Sequence, residues 1–159
     1  MSAGDSGVSL KVGQKAPAFT LPDENGSAVS LASLKGKKVV LYFYPKDHTP
    51  GCTQEACDFR DNFARLKSKG VLVFGISKDN AKAHTSFKAK HDLPFSLLTD
   101  ETGKMLESYG AWGEKSMYGK KFMGIIRSTV IVDEEGKVLK TYPKVSVKGH
   151  VEQILEDIA

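Results

Sequence analysis

The sequence predicts an α/β fold with a mixed central β-sheet flanked by helices and preceded by an N-terminal β-hairpin. Three observations lead there. Two apolar runs of strand length, Val39 to Tyr44 and Val71 to Ser77, bracket a stretch of helical periodicity that begins at Thr49. Apolar runs without alternation belong to strands covered on both faces, and a strand, helix, strand order implies parallel pairing with a right-handed crossover. Late in the chain, Ser128 to Val132 and Lys137 to Tyr142 flank the turn Asp133, Glu134, Glu135, Gly136, a hairpin that adds antiparallel strands to the same sheet.

Each element has its own local reason. Met1 to Ser9 are small and polar and are expected to be flexible. Ala18 to Leu21 and Ala28 to Leu31 flank Asp23, Glu24, Asn25 and Gly26, and an Asn-Gly pair between β-prone runs signals a hairpin. Pro45 ends the first buried strand. Thr49 stands at an N-cap position and Pro50 at the first helical position, where its missing N–H costs nothing. At about 100° per residue, Cys52, Ala56, Phe59, Phe63 and Leu66 fall on one face, and the helical reading runs on to a basic last turn and a stop at Lys67, Lys69 and Gly70. Asn80 to His91 reads as a helix, Phe95 to Leu98 as a short strand, Gly103 to Tyr109 as a short helix, Trp112 to Ile126 as a loop, and Gly149 to Ile158 as a closing helix. The helix bearing Cys52 starts directly after the central strand, where α/β folds place their sites, and the mixed topology is thioredoxin-like.

Composition bounds the function. The chain has 159 residues, which predicts one domain, 1–159; a domain of this size buries roughly 70% of the surface its unfolded chain exposes, so its core needs no staples. Its net charge is +4, but the twenty lysines and three arginines are scattered rather than gathered on one face, so nucleic acid is not an expected partner. No run approaches about 18 consecutive apolar residues, which argues against a membrane span, and Met1 to Ser9 lack the basic start and apolar run of a signal peptide. A cytoplasmic, reducing setting is the expectation.

The two cysteines, Cys52 and Cys57, are too few for a disulfide framework, and a bridge closing so short a loop removes little chain entropy. Cys52 falls in the first turn of its helix, where unpaired N–H groups and the macrodipole favour a thiolate. Position alone leaves open a second reading, a small buried hydrophobe on the face shared with Phe59 and Phe63. The spacing is informative. Cys57 is rotated about 140° from Cys52, and helical residues five apart have Cα atoms roughly 8 to 9 Å apart, beyond the about 7 Å limit for an unstrained bridge. A Cys52–Cys57 disulfide therefore requires the first turns to unwind, and Cys57, turned from the apolar face, is expected to be exposed.

The segment Pro45, Thr49, Pro50, Gly51, Cys52, Thr53 and Glu55 (PxxxTPGCTxE) resembles the active-site signature of peroxiredoxins, and the cysteine five residues later resembles their Q type, the bacterioferritin comigratory proteins. The resemblance extends over Gly13 to Gly26, Leu34 to Pro45, Phe74 to Ser77 and Arg127 to Gly136. It implies a thioredoxin-like fold and reduction of hydroperoxides, with thioredoxin or a similar dithiol as electron donor and a monomer as the working state. By the same resemblance Cys52 is the peroxidatic cysteine, Cys57 the resolving one, Thr49 and Arg127 orient and polarise the peroxide, and Pro45 shields the nucleophile. The chemistry agrees, because attack on an O–O bond expels hydroxide or alkoxide and needs donors aimed at the leaving oxygen. Arginine serves there because it stays charged and carries a rigid fork of donors.

Thr49 is expected to cap the helix with its hydroxyl, and Glu55 is placed both by the dipole and, in the family context, as an ion-pair partner of Arg127. His48 is read as a loop residue. No cofactor and no metal are expected: His84 and His91 lie seven apart on one predicted helix, but no cysteine or paired carboxylate at ligand spacing joins them. Two other readings compete, a thiol:disulfide oxidoreductase of the same fold and a basic non-enzymatic binding module.

Overall fold

The computed structural model describes residues 7–158. An N-terminal hairpin pairs β1 (Thr20–Pro22) with β2 (Ala28–Ser30). There follow β3 (Lys38–Phe43), α1 (Pro50–Asp61), α2 (Phe63–Ser68), β4 (Val71–Ser77), α3 (Ala81–His91), β5 (Ser96–Thr99), α4 (Lys104–Tyr109), β6 (Trp112–Met117), β7 (Lys120–Ile125), β8 (Ser128–Val132), β9 (Val138–Tyr142) and α5 (His150–Asp157). The central sheet runs in the order β5, β4, β3, β8, β9. Strands β3, β4 and β5 are parallel, β8 is antiparallel to β3, and β9 is antiparallel to β8. This is the mixed thioredoxin-like sheet that the sequence predicts.

Strand β3 lies at the centre with both faces covered, which explains its unbroken apolar run. Its pleat divides the core in two. Val40, Tyr42 and the following Tyr44 enter one cluster with Cys52, Ala56 and Phe59 of α1, Phe87 of α3 and Ile154 of α5. Val39, Leu41 and Phe43 enter the other, with Met105, Leu106 and Tyr109 of α4. Beneath α1 the Tyr42 ring stacks on Phe59 with centroids 4.6 Å apart, and Phe95 meets both rings edge-on. Register then positions the site. Phe43 pairs with Ser128, so the residue just before β8 arrives beside the loop that leaves β3 and opens α1.

Three local expectations change. The helical stretch after Thr49 breaks at Asn62, whose side-chain amide donates to the Asp58 carbonyl at 2.9 Å and so competes for a helical acceptor. The stretch Trp112 to Ile126, read as a loop, forms the hairpin of β6 and β7, with Trp112 opposite Ile125 and Met117 opposite Lys120. Its faces mix charges, glycines and apolar residues, so no alternation marks it; its turn is Tyr118-Gly119, both at positive φ. Of the expected flexible start, residues 1–6 lie outside the described residues, whereas Val8 is buried in the second cluster and Ser9 donates its N–H to the Tyr109 carbonyl at 3.1 Å.

Two consequences can be measured. A Cβ at Gly75 would lie 2.8 Å from Tyr42 Cζ and 3.0 Å from Leu97 Cδ2. Tyr42 is pinned by its stack, so Gly75→Ala should lower the unfolding free energy by about 1–3 kcal/mol in a urea melt. His150 accepts or donates to Thr129 Oγ1 at 2.9 Å, and burial, with repulsion from Arg127, lowers its pKa to about 4. The unfolded chain then binds a proton between about pH 6.5 and 4 that the folded chain does not, so stability falls as pH drops through that window. The loss attributable to His150 is at most about 3 kcal/mol, and His150→Asn should flatten the profile there.

Candidate active site

Cys52 is the third residue of α1 and is 1% exposed, its sulfur at the helix N-terminus. Here the unpaired N–H groups and dipole favour negative charge. The Arg127 guanidinium spans two partners: Nη2 donates to Cys52 Sγ at 3.2 Å and Nη1 to Glu55 Oε1 at 2.6 Å. Gly51 leaves space for this approach, since a Cβ there would lie 3.2 Å from Nη2. Burial works against the Arg127 charge, yet Glu55 and Cys52 outweigh it and raise the guanidinium's pKa further. Glu55 behaves differently: burial raises its carboxyl to about 7 although Arg127 pulls the other way.

The expected Arg127–Glu55 pair is therefore present, but its depth was not foreseen. Glu55 is 1% exposed. The signal was available, because position 55 lies three after Cys52 and four before Phe59, on the same helical face. An open cleft of about 390 Å³ reaches this group, its lining including Pro45, Lys115, Ile126, Arg127 and Lys144. Lys115, a residue the sequence reading passed over, donates to the Ile125 carbonyl at 2.8 Å. Burial, then repulsion from Arg127, lowers its pKa, while Cys52 opposes the shift.

Thr49 takes the extended backbone of an N-cap, and its carbonyl accepts the Thr53 N–H at 2.8 Å. Its hydroxyl does not cap the helix. It donates instead to the Lys46 carbonyl at 2.8 Å, closing the preceding turn. Cys57 is a free thiol, half-buried rather than exposed as expected. His48 is a loop residue in the left-handed region, edge-on to Phe87.

His84 has partners that the sequence reading did not find. Its Nδ1 lies 2.6 Å from Asp47 Oδ2 and its Nε2 lies 3.1 Å from the Leu98 carbonyl oxygen. Tyr44 donates its hydroxyl to Asp47 Oδ1 at 2.5 Å, and the Asp47 N–H donates to Asp79 Oδ2 at 2.9 Å. Asp47, Asp79 and His84 thus bring ligand-type atoms within 4.8 Å of one another, a paired-carboxylate set that spacing along one helix could not reveal. Their atoms are engaged with protein partners, and together they fasten the loop between Pro45 and Thr49 to α3. His91 stands apart, against Phe87.

Among the described residues no helix is long and apolar enough to cross a membrane. The AhpC/TSA family model matches residues 12–141. A Coxiella burnetii protein assigned to the bcp peroxiredoxins is 55% identical over 148 residues, 93% of this chain and 98% of that one. The solved peroxiredoxin Q of Xanthomonas campestris superposes with a TM-score of 0.86 at 35% identity, covering 95% of this chain and 96% of the other. Another structure, of the X. campestris bacterioferritin comigratory protein, described for its alkyl peroxide reduction activity, gives 0.85 at 34% identity over 95% and 96% of the two chains. With a cysteine at a helix N-terminus under an arginine fork, and relatives matched over nearly their full length, the chain belongs to the AhpC/TSA family and within it to the Q-type peroxiredoxins, thiol-dependent peroxidases.

Proposed function

We propose that one domain carries a two-cysteine peroxidase cycle on hydrogen peroxide and organic hydroperoxides, with Cys52 as nucleophile and Cys57 as resolving thiol. The observation that carries this reading is the Arg127 guanidinium shared between Cys52 Sγ and Glu55. Cys52 thiolate attacks the peroxide's outer oxygen, the O–O bond breaks, and the departing alkoxide takes a proton: Cys52 becomes sulfenic acid and an alcohol leaves. Arg127 and the helix N–H groups stabilise the charge that develops on the oxygens. Pro45, on the cleft wall, shields the nucleophile, and the Thr49 hydroxyl, whose proton goes to the Lys46 carbonyl, orients the peroxide through its free lone pairs. Cys57 then attacks the sulfenic sulfur, water leaves, and a disulfide forms. A dithiol such as thioredoxin donates two electrons and two protons to restore both thiols. A monomer in the cytoplasm, where such a dithiol is supplied, completes the reading. The alkyl peroxide reduction described for the X. campestris relative supports it. A disulfide exchanger of the same fold is disfavoured, because exchange needs no guanidinium over the sulfur and gains nothing from a partner cysteine that only unwinding can deliver.

Mass spectrometry after one equivalent of peroxide should find an intramolecular Cys52–Cys57 bridge. Cys52→Ser should abolish turnover, whereas Cys57→Ser should keep the first oxidation and lose thioredoxin-coupled recycling; wild-type turnover in both variants would end the two-cysteine mechanism. Arg127→Met would strand Glu55 in the interior without its counter-charge. Breaking a buried pair from one side costs about 3–5 kcal/mol, so a urea melt above pH 8 should show a loss of that order. Adding Glu55→Gln should restore much of it.

A further inference from the structure

Glu55 has a feature that the peroxidase cycle, as described, does not use. Its Oε1 receives Arg127, but Oε2 is also buried and has no hydrogen-bond partner among the described residues. A buried charged oxygen without a partner is costly, so the folded site tolerates an ionised Glu55 poorly. Its position along the chain matters as much. Any bridge between Cys52 and Cys57 encloses residues 53–56, so Glu55 lies inside the loop that must leave helical geometry when the disulfide forms.

We propose that Glu55 is a positioning residue that couples the opening of α1 to proton release: buried, it holds Arg127 on Cys52, and the unwinding that carries Cys57 to Cys52 moves it into water as a carboxylate. The proposal rests on the two-cysteine reading. Arg127 before β8 and Asp58 on α1 act on Glu55, Glu55 acts on Tyr42 of β3, and Cys52 shares the Arg127 guanidinium with it. Beyond Arg127 stand two further bases, Lys115 of β6 and His150 of α5, whose pKa values are lowered by burial and then by repulsion from Arg127. Tyr42 stays protonated, since burial raises its pKa well above the ordinary value. Its hydroxyl also has no hydrogen-bond partner among the described residues and makes no bond to Glu55.

The direction follows from the carboxyl's two environments. In the closed helix it titrates at about 7, against 4.5 for an unperturbed side chain. Between these values the closed form holds a proton that the open form releases. The stability Glu55 lends to closure is therefore complete below about pH 4.5, declines as pH rises, and is lost above about pH 7. Opening should become up to about tenfold easier per pH unit within that window. Acid keeps α1 closed over the sulfur, and neutral or alkaline solution frees it for resolution.

Amide hydrogen exchange tests this without the disulfide step. In the reduced Cys57→Ser enzyme, protection factors at residues 53–57, corrected for intrinsic exchange, should fall steeply between pH 5 and 7 and level off by pH 8. Glu55→Gln keeps Cys52 and the side-chain shape, and its protection should be nearly independent of pH. A wild-type slope in Glu55→Gln would assign the effect to Cys52 or another group and overturn the proposal. Should that variant fold poorly, the carbon NMR titration of the Glu55 carboxyl in the unaltered enzyme decides: a midpoint near 7 is expected, and one in the ordinary carboxylate range is fatal to it. Absence of a Cys52–Cys57 bridge by mass spectrometry would instead break the two-cysteine reading, so the two failures are distinguishable.

Discussion

A guanidinium that bridges a buried carboxyl and a cysteine sulfur makes demands on every element around it. Its two donors must reach Glu55 and Cys52 together, at 2.6 and 3.2 Å, which fixes α1 in rotation and in height above the sheet. It must arrive from β8 beside the end of β3, which requires the Phe43 to Ser128 pairing and hence the antiparallel half of the mixed sheet. It also needs Gly51 to leave room at the helix N-terminus. A lysine could satisfy one partner but not both with fixed geometry, because its ammonium lacks the planar fork.

The rest of the fold serves to hold that geometry against its cost. Charge inside a core is unfavourable, and the aromatic bed of Tyr42, Phe59 and Phe95 offsets it by burying the opposite part of the helix face. On the loop side, Asp47, Asp79, His84 and Tyr44 fasten the residues between Pro45 and Thr49 independently of α1. In the proposed cycle the first turns of α1 open while the loop that frames the cleft keeps its attachment to α3. Such separation would let the Cys52 sulfur be enclosed for one step of that cycle and released for the next.

Much of this was legible in the amino-acid order. The buried strands, the helix start at Thr49 and Pro50, the late hairpin and the rare arginine at position 127 each follow from local rules of pattern and chemistry. Local rules misled where a side chain had two options. Asn62 reads as a tolerable helix residue until its amide takes the Asp58 carbonyl, and Thr49 reads as a cap until its hydroxyl turns to Lys46. The hairpin of β6 and β7 leaves no periodic trace in the sequence because it has no single apolar face.

The sequence by itself determined the fold class, the helical placement of Cys52, and the angular separation that keeps Cys57 away from it, because these depend on backbone periodicity alone. Tertiary structure decided how deep Glu55 lies, which carboxylates find His84, and where Lys115 points. Those outcomes depend on strands and loops far apart in the chain meeting at one place. Burial, rather than residue type, then sets the charge each of these groups can carry.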